Sequence, residues 1–424
     1  MYNKSIEFMK TGMDFTGVER KDLDYLYPTL FKTGEGAYVW DMDDNKYLDF
    51  TGATGAILLG YKYNKVDEAV FDYILKYGNI FITKYSQPRV ELAKKLVELI
   101  PCAEYVSFHK TGSCATSTAV RLAKLHSGKE VILSAGYHGW HDWQLNMFDD
   151  YKIPDEKHIN FEYSLDKLEE LIEKHYKNVA AIIVTPEPNF FPIEYFRELR
   201  DIATKNNILL IFDEVASGFR FALGGYQKYS GVIPDMATFG KGLANGYALS
   251  AVVGPKEIMK TAAEKAHTWS TFDAELGPMV ASLKTIEEYE EKNVVDYINK
   301  IGQYFINKLK KLFDNEGIVY EIRSHPSIFH IIFNDIELYD AWILESLKQG
   351  VVLSRYDYQL ISYSHKKSDI DFAIKKLEIA LKKCRSRFPH SFNQINKGVD
   401  EKVLEKRLRY EIGGTINYRR KITN

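Results

Sequence analysis

The chain has 424 residues, of which 45% are hydrophobic and 27% charged, with 56 basic and 58 acidic side chains for a net charge of −2. These values are typical of an ordinary globular protein, and the balanced charge gives no indication of a nucleic-acid partner or a membrane surface. Because the chain exceeds one ordinary hydrophobic core, we expect a large domain and a smaller one.

Three cysteines, widely spaced and without a paired metal-ligand pattern, favour a reducing compartment and argue against a zinc site. They are Cys102, Cys114 and Cys384. The first residues, MYNKSIEFMKTGMDF, are mixed and polar, and no run approaches about 18 apolar residues. We therefore predict a cytoplasmic protein with no metal, no membrane contact and no nucleic acid.

The predicted elements begin with a hairpin over Gly36 to Phe50, GAYVWDMDDNKYLDF, which turns at residues 43–45. From about residue 100, short apolar runs alternate with helical periodicity, which predicts an α/β fold with βα units on a mainly parallel sheet. The predicted strands are Tyr105 to Phe108, Val131 to Ser134, Ala180 to Thr185, Ile208 to Phe212, Met236 to Phe239 and Leu249 to Val253.

Two helices between these strands have clear ends. Apolar residues keep helical spacing from Ala115 to Ala123 and Gly128 ends that helix, while Ser164 caps a second one. We expect residues 61–310 to form the large domain, and residues 1–60 and 311–387 to form a smaller α+β domain from both chain ends. Residues 388–424 are predicted to be a polar tail of unknown role.

The first candidate site motif lies in YVSFHKTGSCATSTAVRLAK, where a predicted strand runs through Gly112 and Ser113 into a helix. Backbone amides of a glycine turn at a helix N-terminus favour an anion, and the Ser113 hydroxyl adds a donor. The segment lacks the GxxxxGK[ST] pattern, so a plain strand-to-helix turn explains it equally well when it is taken alone.

The second motif is VILSAGYHGWHDW, in which a strand ends at Gly136. Aromatic and imidazole side chains then follow in quick succession: Tyr137, His138, Trp140, His141 and Trp143. Such a cluster suits stacking against a flat ligand. A buried aromatic cluster under a loop is the alternative, and we favour it for the two tryptophans.

Two further motifs end strands. Asp213 and Glu214 follow five apolar residues in NNILLIFDEVASGFR, at the edge where α/β sheets bind ligands, and Lys241 follows another strand in TFGKGLANGYALSAVVG. Alone, each is more often a solvated residue. Together, an anion cradle, an aromatic platform, an acid and a lysine match pyridoxal phosphate, which proteins hold by a lysine Schiff base and an acidic partner at the ring nitrogen.

With these motifs, the chain resembles class III, fold-type I pyridoxal-phosphate-dependent aminotransferases, and most closely the glutamate-1-semialdehyde 2,1-aminomutase branch, from about Gly34 to Leu381. The segments that carry the resemblance are GEGAYVWDMDDNKYLDF, TGSCAT, YHGWHDW, TPEPN, IFDEVASGFR, PDMATFGKGLANGYALSAVVG and STFDAE. It implies a large domain with a mainly parallel sheet, a smaller α+β domain, and a homodimer with shared active sites.

The resemblance also implies roles for site residues. Lys241 would form the Schiff base and then transfer the proton at the substrate's Cα, and Asp213 would pair with the pyridine nitrogen. Arg20 lies near the position of an arginine that binds a substrate carboxylate. The implied cofactor-binding residues are Gly112 and Ser113 at the phosphate, Tyr137 and Val215 on the two ring faces, Glu187, Asp213, Lys241, and Thr271 at the phosphate from the neighbouring subunit.

Two departures from the family pattern bear on function. Cys114 replaces a usual acidic residue, and the segment between Tyr137 and Tyr163 is shorter than the loop that retains the diamine intermediate in aminomutases. An aminotransferase must instead release its first product. We therefore predict ping-pong transfer of an amino group from an amino-acid donor to a ketone or aldehyde. An aminomutase, another reaction at Cα such as decarboxylation, and a non-catalytic binding protein are the alternatives.

The substrate is left open by the sequence. Tyr356, Asp357 and Tyr358 lie in the part of the chain that lines the pocket in relatives, where an inward Asp357 would oppose an anionic substrate end. A sugar, amine or amino-alcohol skeleton is therefore considered beside an amino acid.

Overall fold

The structure, a computed structural model, describes residues 4, 5, 7, 8, 11, 12, 30–83, 85–147, 155–261, 265–355 and 357–415. Arg20 and Tyr356 lie outside the described residues. The chain divides into two compact units, one formed by residues 1–64 and 296–404 and the other by residues 65–295 and 405–424.

The larger unit is built on a seven-stranded sheet in the order β4-β10-β9-β8-β7-β5-β6. Strand β10 runs antiparallel to both of its neighbours, and the other pairs are parallel. The strands are β4 (Tyr105–His109), β5 (Val131–Ala135), β6 (His158–Asn160), β7 (Val179–Val184), β8 (Leu209–Asp213), β9 (Met236–Phe239) and β10 (Ser250–Gly254).

Helices cover this sheet, which explains why β5, β7, β9 and β10 are buried along their whole length. Their bounds are Asn64–Tyr77, Gln87–Leu99, Gly112–Ser127, Leu165–Lys174, Ile193–Lys205, Gly225–Ser230, Lys256–Thr261 and Gly277–Glu291, with shorter 3-10 turns at Asp142–Met147, Lys241–Leu243 and Thr271–Ala274. The core between the sheet and helix Gly112–Ser127 includes Ala119, Ile183, Ile211 and Val252, all fully buried.

The smaller unit contains a four-stranded sheet in the order β1-β2-β3-β13 and a three-stranded sheet in the order β11-β12-β14. Its strands are β1 (Phe31–Glu35), β2 (Tyr38–Asp41), β3 (Lys46–Asp49), β11 (Tyr320–His325), β12 (Ile328–Phe333), β13 (Val351–Val352) and β14 (Gln359–Leu360). Its helices are Val294–Glu316, Ile336–Lys348 and Lys367–Cys384, with a distorted turn at Gly52–Gly55 and a 3-10 turn at Pro389–Ser391.

The prediction of an α/β fold with a mainly parallel sheet is confirmed. All six predicted strands lie in the seven-stranded sheet within about one residue of the expected ends, and the predicted hairpin forms between β2 and β3. The ends of the two predicted helices are also confirmed: Gly128 adopts a left-handed φ of 69°, and the Ser164 side chain accepts a hydrogen bond from Lys167 N. Strand β6 was not predicted, because HIN is short and polar.

The C-terminal segment differs from the polar tail expected from its charge. It forms the helix Glu401–Ile412, in which Leu404, Leu408 and Ile412 are buried. These residues recur at a spacing of four, so they form an apolar stripe among charged neighbours. The segment is also held by backbone bonds from Gln394 N to Gly317 O at 2.8 Å and from Thr415 N to Glu162 O at 3.1 Å.

Three further features concern the cysteines, metal binding and membrane-spanning helices. Cys102, Cys114 and Cys384 are all thiols rather than disulfides. Among the described residues, no group of three or more His, Cys, Asp and Glu side chains is placed to hold a metal ion. No helix in this same part of the chain has the length and apolar character needed to cross a membrane.

Candidate active site

The predicted acid and lysine lie at the same edge of the large sheet. Asp213 is the last residue of β8 and pairs with Thr238 of the parallel neighbour β9. Lys241 follows the end of β9 by two residues. Because both strands are parallel, their carboxyl ends meet at one edge, which is where open α/β sheets bind ligands.

Asp213 is held by three hydrogen bonds. Its Oδ1 accepts from Thr238 Oγ1 at 3.0 Å and from Val215 N at 3.2 Å, and its Oδ2 lies 2.9 Å from His138 Nδ1. The side chain is buried, with 3% of its surface exposed. A buried carboxyl group with this many partners has a fixed orientation, so it presents its remaining acceptor capacity in one direction.

His138 belongs to the aromatic and imidazole cluster after β5, and in the structure its ring contacts Asp213. His138 Nδ1 lies 2.9 Å from Asp213 Oδ2, and with its proton on Nδ1 the ring donates this hydrogen bond to the carboxylate. The His138 carbonyl accepts from Thr116 Oγ1 at 2.7 Å, which fixes the backbone beside the ring. The only signal for His138 in the sequence was its place beside Tyr137 at the end of a strand.

Gly112 and Ser113 form the start of helix Gly112–Ser127, as an anion cradle requires. Thr111 caps this helix, since its side chain accepts a hydrogen bond from Cys114 N at 3.2 Å. Ser113 Oγ accepts from Trp140 N at 3.3 Å. Backbone approaches so closely here that a methyl group on Gly139 would lie 2.2 Å from Ser113 Oγ.

Val215 connects the cradle to the lysine. A methyl group placed on Gly112 would lie 3.0 Å from Val215 Cγ1, and one placed on Gly240 would lie 3.3 Å from the same atom. Gly240 directly precedes Lys241. The Val215 side chain therefore stands between the helix N-terminus and the backbone that carries the lysine, and its own amide binds Asp213.

Tyr137 and Glu187 follow neighbouring strands at the same edge. The Tyr137 carbonyl accepts from Thr185 Oγ1 at 3.1 Å, while its side chain is half exposed. Burial, and then the negative charge of Asp213, raises the pKa of the Tyr137 phenol. Glu187 is buried two residues beyond Thr185.

Glu214 is buried, whereas Thr271 is exposed. Glu214 is fully buried and accepts hydrogen bonds from Tyr226 N and from Gln227 Nε2, the latter at 3.0 Å, so it fixes the start of helix Gly225–Ser230. Thr271 begins the 3-10 turn Thr271–Ala274 and is exposed on the surface of the larger unit.

A comparison with known protein families identifies the fold and the chemistry. The model of the class III aminotransferases matches residues 24–381. The chain belongs to the class III aminotransferase family. It is 36% identical over 372 residues to the 3-aminobutyryl-CoA aminotransferase of Cloacimonas acidaminovorans, covering 84% of this chain and 89% of that protein.

The aminomutase branch is also represented among the relatives. The glutamate-1-semialdehyde 2,1-aminomutase of Methanosphaera stadtmanae is 32% identical over 393 residues, covering 84% of this chain and 92% of that protein. In structure, the FumI protein of Sphingopyxis sp. MTA144, in its PLP internal aldimine form, has a TM-score of 0.84 and 25% identity, covering 92% of this chain and 98% of that chain. The predicted family, fold type and cofactor are confirmed, and the protein is a pyridoxal-phosphate-dependent aminotransferase.

The residues at the sheet edge fit pyridoxal phosphate. The helix N-terminus at Gly112 offers amide donors to a phosphate, and the close backbone approach at Gly139 leaves no room for a side chain there. Asp213 supplies an oriented acid, and Lys241 supplies an amine within the same strand ends. In addition, His138 Nε2 is buried and has no hydrogen-bond partner in the part of the chain that the structure describes, as expected where a ligand completes the surroundings.

Proposed function

We propose that Lys241 and Asp213 are the catalytic residues of this aminotransferase, and that Gly112, Ser113, Tyr137, Glu187 and Val215 hold its cofactor. The observation that carries the proposal is the position of Val215. Its side chain lies between the anion cradle and the residue before Lys241, and its amide donates to Asp213. The N-terminus of helix Gly112–Ser127, the Asp213 carboxyl group and the turn that carries Lys241 are therefore grouped around Val215.

Each residue then has a defined task. Pyridoxal phosphate, when bound, supplies an electron sink that stabilises negative charge on the substrate carbon beside the amino group. Lys241 Nζ would hold the cofactor through its aldehyde group and, once free of it, would carry the proton that leaves the substrate's Cα. Asp213 would hold a proton at the ring nitrogen by a charge-assisted hydrogen bond, in an orientation that His138 and Thr238 fix.

The cradle and the ring contacts position the cofactor. Amides at Gly112 and Ser113, with the Ser113 hydroxyl, would donate to the phosphate. The Val215 side chain and the Tyr137 ring would cover the two faces of the pyridine and exclude water from them. Tyr137 is half exposed, so its ring is accessible to a ligand.

We further propose that the reaction releases its first product, as in an aminotransferase, rather than retaining it, as in an aminomutase. The short segment between Tyr137 and Tyr163 supports this, because it leaves less chain to cover an intermediate. The 36% identity to an aminotransferase, against 32% to an aminomutase, points the same way.

The test is to incubate the loaded enzyme with single amino donors and to identify products by mass spectrometry. Donors should include α-amino acids, 3-aminobutyryl-CoA, an amino sugar and an amino alcohol. The proposal predicts that one donor yields its keto product in an amount equal to the enzyme, and that turnover begins only when a carbonyl acceptor is added. An isomer of the substrate would indicate an aminomutase, carbon dioxide a decarboxylase, and no product from any donor a binding protein.

We also propose a cytoplasmic homodimer with shared active sites, in which Thr271 of each protomer reaches the phosphate of the other. Thr271 is exposed, which this role requires. Large apolar side chains are also exposed between residues 71 and 90, and burying them against a second copy would be favourable: Phe71, Leu75, Ile82, Tyr85 and Val90. The three reduced cysteines support a reducing location.

A further inference from the structure

Helix Gly277–Glu291 packs against the 3-10 turn Lys241–Leu243 and holds it through one buried tyrosine. The Tyr289 hydroxyl donates a hydrogen bond of 2.6 Å to the carbonyl of Gly242, the residue after Lys241. Tyr289 is 1% exposed. This hydrogen bond links helix Gly277–Glu291 directly to the turn that carries Lys241.

The turn needs such support because of its backbone. Lys241 has a φ of 44°, in the left-handed region that residues with a side chain disfavour. Within the turn, Leu243 N donates to Gly240 O at 2.9 Å and Ala244 N to Lys241 O at 3.3 Å. These local bonds close the turn, but they do not connect it to the rest of the unit. The Tyr289 bond does.

The surroundings of Tyr289 keep its hydroxyl a donor. Burial raises the pKa of the Tyr289 phenol above its ordinary value, although the neighbouring Arg220 charge acts in the opposite direction. Burial lowers the pKa of Arg220 to about 10. Because this value is still well above neutral pH, the guanidinium remains charged there. The Phe219 ring lies 5.8 Å from the Tyr289 ring and packs beside it.

We infer that Tyr289 is a positioning residue for Lys241: its hydroxyl fixes the Gly242 peptide and thereby the left-handed turn that directs the amine. This rests on the proposed role of Lys241. It assigns to helix Gly277–Glu291 a part in the reaction, although none of its residues is expected to touch the substrate or the cofactor.

The test compares Tyr289→Phe with Tyr226→Phe. Both tyrosines are buried, and both changes remove only a hydroxyl, but the Tyr226 hydroxyl has no hydrogen-bond partner among the described residues and its ring packs beside Phe196 and Phe221. The first readout is the rate at which the visible band of the lysine-bound cofactor appears when pyridoxal phosphate is added to the protein without cofactor. The second is kcat and KM for the amino donor.

We expect Tyr289→Phe to reduce both the rate of band formation and kcat by about five- to tenfold, the loss of one ordinary hydrogen bond, with KM for the donor unchanged. Tyr226→Phe should match the wild type in both. Equal rates in wild type and Tyr289→Phe would overturn the inference, even if the melting temperature fell. If Tyr289→Phe does not fold, Tyr289→Met, which fills the site with a flexible apolar side chain, replaces it with the same expected outcome.

A separate result distinguishes failure of the inference from failure of the proposed function. Borohydride reduction of the loaded wild type, followed by peptide mass analysis, identifies the lysine that binds the cofactor. If the label is on Lys241 and Tyr289→Phe is unaffected, the inference alone is wrong. If the label is on another lysine, the proposed role of Lys241 is wrong whatever Tyr289→Phe does.

Discussion

At the scale of single residues, the contact between His138 and Asp213 organises the acid of the site. The pair is buried, so the hydrogen bond between His138 Nδ1 and Asp213 Oδ2 acts in surroundings where water competes little. The role of His138 is to hold the Asp213 carboxyl group in the direction set by Thr238 and Val215. Without it, one of the two carboxyl oxygens loses its partner.

His138→Phe should therefore weaken the site while leaving the ring volume filled. A hydrogen bond to a charged group contributes about 1.5–3 kcal/mol. We therefore expect cofactor affinity and kcat to fall by a combined factor of roughly 10 to 100. Titration with pyridoxal phosphate and the rate of the first half-reaction measure the two parts. His138→Asn, whose amide can donate from a similar position, is the control and should retain more of both. Wild-type values for His138→Phe would contradict the role assigned to this residue.

Glu214 provides a pH-dependent stability that is separate from catalysis. Burial raises the pKa of its carboxyl group from 4.5 to about 7, although four hydrogen bonds from Tyr226, Gln227 and Ser217 act against that rise. The folded protein thus holds a proton that the unfolded chain loses above about pH 4.5. Glu214 therefore contributes its full stabilisation below pH 4.5. That contribution is lost as the pH rises towards 7, which lowers the free energy of unfolding by up to about 3 kcal/mol.

Glu214→Gln should remove this dependence, since the amide does not titrate. Urea unfolding at pH 5 and pH 8 is the measurement, and the difference between the two free energies of unfolding should be smaller in Glu214→Gln than in the wild type. Glu194→Gln, at an exposed position with a side chain 73% accessible, should leave the difference unchanged. An unchanged difference in Glu214→Gln would show that Glu214 is ionised in the folded protein at pH 5.

Asp213 and Glu214 illustrate which properties of the site residues can be predicted from the sequence. Asp213, Lys241, Gly112 and Ser113 could be predicted because each follows an apolar run at a strand end or opens a helix. The strand-end pattern alone does not separate Asp213 from Glu214, since both stand in the same DE pair, and only the family resemblance assigns Asp213. In the structure Asp213 ends β8 at the site, whereas Glu214 turns inward to bind the backbone of Tyr226.

At the scale of elements, the junction of the loop after β5 with helix Gly112–Ser127 determines the shape of the cradle. Gly139 has a φ of 124°, and a methyl group there would lie 2.2 Å from Ser113 Oγ and 2.4 Å from Gln144 Oε1. Gly128, at the other end of the same helix, also has a positive φ, of 69°, but has no atom within 4 Å of a methyl group.

These two glycines make a matched pair. Gly139→Ala should move Ser113 and lower the affinity for pyridoxal phosphate by at least about tenfold, because the phosphate donors are displaced. Gly128→Ala should cost about 1–2 kcal/mol of stability through its left-handed backbone and leave the affinity unchanged. Absorbance titration with the cofactor and thermal unfolding separate the two effects. Equal affinities in Gly139→Ala and the wild type would show that Ser113 does not form part of the cradle.

Elements with long apolar runs could be predicted from the sequence, and short or charged ones could not. The buried strands β5, β7, β8 and β9 were expected because parallel strands covered on both faces consist of continuous apolar residues. Strand β10 is antiparallel to its neighbours but equally buried, so it carries the same apolar signal. Strand β6 has three residues, none fully buried, so it carries no such signal. The helix Glu401–Ile412 has no such run, because charged residues surround the apolar stripe formed by Leu404, Leu408 and Ile412.

At the scale of the whole molecule, the proposal of shared active sites predicts complementation between two defective chains. Lys241→Ala lacks the amine, and Thr271→Val keeps the volume of the side chain but removes its hydroxyl. In a mixed dimer, one site combines an intact Lys241 with an intact Thr271, while the other site lacks both. Mixing and refolding the two variants should therefore give about a quarter of the wild-type activity, since half of the dimers are mixed and each has one intact site.

The control for this experiment is the Thr271→Val dimer by itself, which should show a raised requirement for pyridoxal phosphate. If Thr271 acted within its own chain, no mixed dimer would contain an intact site, and the mixture would not exceed the activity expected from its Thr271→Val chains. That outcome, or a protein that sediments as a monomer, would contradict shared sites.

The central claim is that Lys241 binds pyridoxal phosphate at the edge formed by β8 and β9, and an absorption spectrum tests it most directly. Wild type and Lys241→Ala are each mixed with the cofactor, and the visible band is recorded before and after adding an amino donor. We predict a band in the wild type that a donor converts to the near-ultraviolet pyridoxamine band, and no lysine-dependent band in Lys241→Ala. A wild-type band and full turnover in Lys241→Ala would contradict the account.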